Sequence, residues 1–169
     1  MDQKEIDGLD DSHYMNMSTV VKTGLYHTKS GYPYFYKQFA DDREREILSH
    51  IYIHDTDITV PIIKFGTCGV YMEVGQLINV ETEDIIYNKI KVLERLHKID
   101  VYHNDWGVFN WLLYKDSVRL IDFGSSFFTN DEEWLQLLYE NIHLNDNIVI
   151  TSKQDALNFE MSEFIAGYK

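Results

Sequence analysis

The run His103-Asn104-Asp105-Trp106-Gly107-Val108-Phe109-Asn110, followed by Leu120-Ile121-Asp122-Phe123-Gly124, has the pattern H-x-D-x-x-x-x-N and then D-F-G. Phosphoryl transfer from ATP is largely positioning and charge neutralisation. It needs a carboxylate near the acceptor hydroxyl and oxygen ligands for magnesium. In this pattern Asp105 is the residue to take the acceptor proton, Asn110 to hold one metal ion, and Asp122 to hold the ion bridging the β- and γ-phosphates. A D-F-G triplet alone is a weak signal, because Leu-Ile-Asp-Phe-Gly also suits a buried strand ending in a turn. Its coupling to the upstream motif makes it specific.

The elements around the motif must bring these groups together. A tight loop over 103–108 leads into a short hairpin, Asn110 to Tyr114 and Val118 to Asp122, turned by Lys115-Asp116-Ser117, which returns Asp122 to the side of Asn110. Upstream, Thr19 to Tyr26 and Tyr32 to Phe39 are β-branched and aromatic runs separated by Lys29-Ser30-Gly31. Asp41-Asp42 then start a helix through about His54, carried by Ile47, Leu48 and Ile51. A second hairpin, Val60 to Phe65 and Val70 to Val74, turns at Gly66-Thr67-Cys68-Gly69. Thr82 caps the strongest helix, whose apolar stripe is Ile86, Ile90, Leu93 and Leu96 or His97. Two more helices are expected, Asp131 to Ile142 and Ser152 to Ala166, the latter closed by Gly167.

Composition sets outer limits. The 169 residues suffice for one core, and 44% hydrophobic with 14% aromatic residues exclude a disordered chain. A formal charge of −13 repels nucleic acid and anionic lipid, so neither is an expected partner, whereas a basic protein surface is. The single cysteine, Cys68, forms no internal disulfide and suits a reducing compartment. Without a basic-plus-apolar leader or a run of ~18 apolar residues, the expectation is a cytoplasmic protein, host-cell cytoplasm included. Residues 1–18, with Asp2, Glu5, Asp7, Asp10 and Asp11, read as an acidic flexible tail.

The motif and the order of elements resemble the protein kinase-like fold from about Val20 to Ile142. The resemblance implies an α+β, reduced two-lobe architecture, with a small β-rich N-lobe carrying one helix at about 19–74 and a truncated helical C-lobe at about 76–169. It also implies ATP and magnesium, with manganese as a substitute, as cofactors. Lys37, in Tyr36-Lys37-Gln38, looks like the strand lysine that grips the α- and β-phosphates. Glu46, in Arg45-Glu46-Ile47-Leu48, is its implied partner, with Glu44 as the competing choice. Val70-Tyr71-Met72-Glu73-Val74 resembles the hinge strand that receives adenine, Met72 lining the back of the pocket and Glu73 and Val74 its edge. His103 would brace the loop by hydrogen bonding, and Trp111 would pack against it. Phe127 and Phe128 are expected in the core against the Asp131 helix.

The chain departs from the family pattern in places. It has no G-x-G-x-x-G; Asn104 stands where the family has arginine and Gly107 where it has lysine; and no A-P-E follows Gly124. The asparagine leaves phosphorylation of the loop after D-F-G with no obvious anchor. The nearest resemblance is to minimal kinases: the RIO-like and lipopolysaccharide-kinase-like branches and the short kinases of viruses and bacterial effectors. The implied function is a minimal serine/threonine kinase acting on a protein, a host protein among the candidates. The alternatives are an inactive partner-binding module of the same fold and a small-molecule kinase resembling choline or aminoglycoside kinases. His50 and His54, at i and i+4, have zinc-ligand spacing without a third ligand in view, which favours a structural role.

Overall fold

Every strand pair among the described residues is antiparallel. The computed structural model describes residues 1–12, 23–146 and 150–168 as a mixed α+β protein. A four-stranded sheet is built from β1 (Gly24–His27), β2 (Pro33–Gln38), β3 (Ile62–Phe65) and β4 (Gly69–Met72) in the order β1-β2-β4-β3. A shorter sheet joins β5 (Gln76–Leu77) to the hairpin of β7 (Trp111–Tyr114) and β8 (Ser117–Leu120). A two-stranded ribbon pairs β6 (Val101–Tyr102) with β9 (Phe127–Phe128). The helices are α1 (Gln3–Gly8), α2 (Asp42–His54), α3 (Glu83–Lys98), α4 (Glu132–Asp146) and α5 (Lys153–Ala166). No helix among the described residues is long and apolar enough to cross a membrane.

Helices α2, α3 and α5 each start at a capping side chain. Asp41 caps α2 by accepting the Glu44 amide at 2.9 Å, Thr82 caps α3 through the Ile85 amide at 3.2 Å, and Ser152 caps α5 through the Asp155 amide at 3.2 Å. The β7–β8 turn is two residues, Lys115 and Asp116, both at positive φ (46° and 65°), the sign that matches the twist of a tight hairpin. The first strand begins at Gly24 and runs to His27; the expected 19–22 part lies outside the described residues. Helix α4 extends past Ile142 to Asp146.

One continuous apolar core runs from α2 and the large sheet (Ile47, Leu48, Ile51, Val70, Met72) to α3, the β7–β8 hairpin and α5 (Leu93, Leu96, Trp111, Leu120, Phe164). Leu120 also donates its amide to the Ile58 carbonyl at 2.8 Å, so backbone as well as side chains ties the two parts. Phe127 joins a second cluster, stacked on Tyr102 at 4.9 Å and on Trp134 of α4 at 5.8 Å, as expected for core aromatics. His50 spends its Nε2 on the Ile99 carbonyl at 3.0 Å, which gives it a structural task between α2 and the end of α3.

The expectation of an acidic flexible tail is corrected for residues 1–12; residues 13–18 lie outside the described residues. Helix α1 carries a capping box between Asp2 and Glu5, and Glu5 also accepts from Thr28 and Ser30. Lys64 of β3 donates to the Leu9 carbonyl at 2.6 Å and the Ile6 carbonyl at 3.2 Å, while Leu9 packs on Tyr36 and Tyr71. Asp11 is 1% exposed and accepts from Tyr36 Oη at 2.8 Å and from the amides of Thr67 at 2.6 Å and Cys68 at 2.9 Å. Hydrogen bonds to backbone carbonyls and to the carboxylates of Glu5 and Asp11, rather than an apolar stripe, hold this segment on the sheet.

The expected stripe of α3 is also rotated. Its buried face is Lys89, Val92, Leu93 and Leu96, with Ile86 and Ile90 half-buried. Lys89 is tolerated there because its ammonium meets the Glu81 carboxylate and Tyr168 Oη, and lies 5.6 Å from the Trp111 ring centroid.

Candidate functional site

Lys37 points from β2 toward the first turn of α2, where it reaches both oxygens of Glu44, at 2.6 and 2.9 Å. Glu46, the expected partner, is instead exposed on the other side of α2. The helix phase explains the correction. Glu44, Ile47, Leu48 and Ile51 fall at i, i+3, i+4 and i+7 and share the buried face, whereas Glu46 does not. Burial raises the Glu44 carboxyl above the ordinary carboxylate range, opposed by the bond and charge of Lys37 and reinforced by Asp122 and Asp41. Asp122 lies 3.7 Å from the same ammonium. One cation thus serves two carboxylates.

Asp122 adopts φ 61°, a conformation that Asp tolerates better than most residues, and its side chain remains 45% exposed. Gly124 follows for a steric reason. A Cβ there would stand 2.8 Å from Glu44 Oε2 and 3.2 Å from Asp122 Oδ1. The D-F-G glycine is therefore what lets the loop pass beside the carboxylate pair.

The 103–110 loop is braced from below. His103 is wholly buried; its ring bonds the Ile121 carbonyl through Nε2 at 3.0 Å and accepts the Asp105 amide on Nδ1 at 3.2 Å. A carbonyl can only accept and an amide only donate, so the ring is the neutral Nε2–H tautomer. Burial, which lowers its pKa, agrees. Asn104 sits at φ 69° and Asp105 is exposed. Asn110 donates its Nδ2 to the Asp105 carbonyl at 2.7 Å, which leaves the amide oxygen available to a cation, and Trp111 Nε1 donates to the Trp106 carbonyl at 3.0 Å.

Beneath this loop lies a residue that the motif reading missed. Glu160 of α5 is fully buried and accepts the amides of His103 at 3.0 Å and Asn104 at 2.7 Å, together with His97 Nε2 at 2.8 Å. The signal was a carboxylate on an otherwise apolar face with Ala156, Leu157 and Phe164.

Between the large sheet and the β7–β8 hairpin lies a cavity of about 320 Å³, walled by apolar residues such as Phe35, Val60, Met72, Leu112 and Ile121. Its polar members are Thr23, Lys37, Glu73, Asn110 and Asp122. The size and the lining, apolar with a few converging polar groups, fit a small organic ligand with a charged end. Of the residues expected at the site, the structure brings Lys37, Met72, Glu73, Val74, Asn110 and Asp122 to this one cavity. Glu73 also accepts from Tyr32 Oη at 2.8 Å, and this bond and burial push that phenol up to about 12.

The donor set suits a hard divalent cation. Asp122 offers a half-exposed carboxylate and Asn110 a free amide oxygen, and magnesium typically takes one or two protein oxygens with water and phosphate completing its shell. No group of three or more His, Cys, Asp or Glu side chains suited to a metal occurs among the described residues.

No protein-family model matches the chain, and no curated protein matches its sequence closely enough to establish kinship.

Proposed function

We propose that the protein is an ATP- and magnesium-dependent phosphotransferase of the protein kinase-like fold, acting on serine or threonine hydroxyls of a protein substrate. The observation that carries this reading is the ammonium of Lys37, held by Glu44 and facing Asp122 on the wall of an apolar cavity that Asn110 also lines. Lys37, kept extended by Glu44, is available to phosphate oxygens, and Met72, Glu73 and Val74 line the position for the adenine ring. Asp122 and Asn110 would hold magnesium, which when bound would neutralise charge developing on the transferred group. Asp105 takes the acceptor proton, its backbone amide fixed by neutral His103 and its loop by Glu160.

The acceptor side favours a macromolecule. Asn104, Asp105, Val108 and Phe109 are all exposed, and only the short stretch from Gln76 to Thr82 separates the cavity edge from α3, so no inserted element among the described residues encloses Asp105. The charge of −13 favours a basic partner. The absence of a glycine-rich phosphate loop favours a second reading, an inactive partner-binding module.

One experiment separates these readings: incubation of the full chain with ATP labelled at the γ-phosphate, magnesium and casein, with and without cell extract. Label on protein is expected. Label on a small metabolite alone would move the reading to a small-molecule kinase. The absence of any transfer, with nucleotide binding either lost or independent of magnesium, would leave the partner-binding module.

A further inference from the structure

Arg43, the residue before Glu44, carries a second function of the α2 N-terminus. Its Nε donates to the Ser126 carbonyl at 2.6 Å and its Nη2 to the Gly124 carbonyl at 3.3 Å, so one guanidinium holds both ends of the turn after D-F-G. Its face is covered by the Trp134 ring of α4, with the guanidinium carbon 3.9 Å from the ring centroid, and Asp41 lies 3.1 Å from Nη2. The planar fork thus has two carbonyls at its edge, a ring on its face and a balancing carboxylate, an arrangement that a lysine cannot reproduce.

The turn is tied on its other side as well. Ser126 Oγ donates to the His103 carbonyl at 2.9 Å and Asn104 Nδ2 to the Ser125 carbonyl at 3.3 Å. Consecutive residues of α2 therefore grip opposite parts of one constellation. Glu44 holds Lys37 and crowds Gly124, while Arg43 holds the carbonyls of Gly124 and Ser126. All of these links are groups the chain already carries. Ser126 is fully buried and its hydroxyl is spent, so it is not accessible to modification.

We infer that Arg43 is a positioning residue that clamps the D-F-G turn to α2, fixing Asp122 relative to Lys37 and Glu44 without any phosphate on the loop. The clamp itself stands on geometry; its consequence for turnover rests on the phosphotransfer reading above.

The test compares full-length wild-type protein with Arg43→Gln, Arg43→Lys and Trp134→Leu by amide hydrogen exchange and by turnover of magnesium-ATP. For Arg43→Gln, protection over residues 122–128 is expected to fall by about tenfold or more, with α3 unchanged, since local opening is controlled by local ties. Turnover should fall by about 10- to 100-fold at nearly constant KM, as expected when a group acts on the geometry of the reacting centre rather than on ground-state binding. Arg43→Lys should recover only part of either quantity, and Trp134→Leu should fall between. Ser125→Ala, which removes the exposed hydroxyl of the turn, should turn over ATP like the wild type. Unchanged exchange over 122–128 in Arg43→Gln overturns the clamp, as does equal loss of protection in α3, which would make Arg43 a general stability residue. Activity that depends on a phosphate at Ser125 overturns the claim that the loop needs none. Wild-type protein that binds no magnesium-ATP overturns the phosphotransfer reading and leaves the exchange data to decide the clamp.

Discussion

Glu160 Oε2 receives the Asn104 amide at 2.7 Å while Oε1 receives the His103 amide at 3.0 Å, so the last helix of the chain holds the loop that carries Asp105. His97 adds a third donor to the same buried carboxylate. An isosteric amide has one acceptor oxygen and must turn its NH2 toward one of these N–H groups. Glu160→Gln is therefore expected to lower stability by about 1–3 kcal/mol, the typical cost of unsatisfied buried polar groups. Turnover should fall further than stability alone explains, because His103, Asn104 and Asp105 are adjacent. Denaturant unfolding, together with phosphotransfer measured well below the transition, checks both parts.

Lys37 distinguishes the two candidate glutamates. Glu44→Gln weakens a charge-assisted pair at 2.6 Å and should reduce magnesium-ATP turnover by about an order of magnitude or more, whereas Glu46→Gln, on the exposed face, should stay within about 0.5 kcal/mol of wild type in stability and leave turnover unchanged. Lys37→Met should abolish turnover, since among the described residues Lys37 is the only cation placed between Glu44 and Asp122. Equal loss in the Glu44 and Glu46 variants would contradict the observed pairing.

How far each feature could be read from the sequence depended on how local its cause is. The 103–124 motif was legible because a loop and a hairpin bring Asp105, Asn110 and Asp122 into one region through short-range turns. Lys89 and Glu160 are not singled out by the motif, and Glu44 stands only as the competing choice to Glu46, although each lies three and four residues from buried apolar neighbours on its helix: Ile47 and Leu48, Val92 and Leu93, Leu157 and Ala156. In the fold, a charge on such a face is where an ion pair or a backbone amide enters the core. The docking of residues 1–12 was illegible for a different reason. Lys64 binds backbone carbonyls, which every sequence has, and Asp11 finds its amide partners only once the β3–β4 turn has formed.

Asp105 and Asp122 should fail in different ways. Asp105→Asn removes a proton acceptor on an exposed loop and should lower turnover by about 10²–10⁴ with nucleotide affinity nearly intact. Asp122→Ala removes the carboxylate facing Lys37 in the cavity and should abolish the magnesium dependence of ATP binding while the fold survives. Calorimetric titration with and without magnesium, beside single-turnover rates, separates the two. Asp105→Asn losing affinity at constant turnover would reassign Asp105 to binding.

Gly124 has no room for a methyl group. In Gly124→Ala the Cβ would stand 2.8 Å from Glu44 Oε2, forcing either the carboxylate away from Lys37 or the turn away from Asp122. Overpacking of this kind costs about 1–3 kcal/mol, and here the displaced atoms belong to the site. Turnover is expected to fall together with stability, and structures of the variant should show a longer Lys37 to Glu44 distance. An active variant with that distance unchanged would mean that the loop relaxes elsewhere.

Asp11 should make the docked N-terminal segment sensitive to acid. Burial by itself would raise its carboxyl, but the bonds from Tyr36, Cys68 and Thr67 outweigh burial and hold it below the ordinary carboxylate range. A group whose folded pKa lies below its unfolded value, about 3.9 for Asp, contributes stability that is fully present above that value. The contribution disappears as pH falls through the folded pKa. Asp11→Asn should therefore cost about 1–3 kcal/mol near neutral pH, where the amide must face the Thr67 and Cys68 N–H groups with half the acceptor capacity. The gap between variant and wild type should then narrow below about pH 4 as the wild-type carboxylate is protonated. Unfolding measured in denaturant across this range checks the sign, and a gap that stayed constant with pH would mean that Asp11 contributes through shape alone.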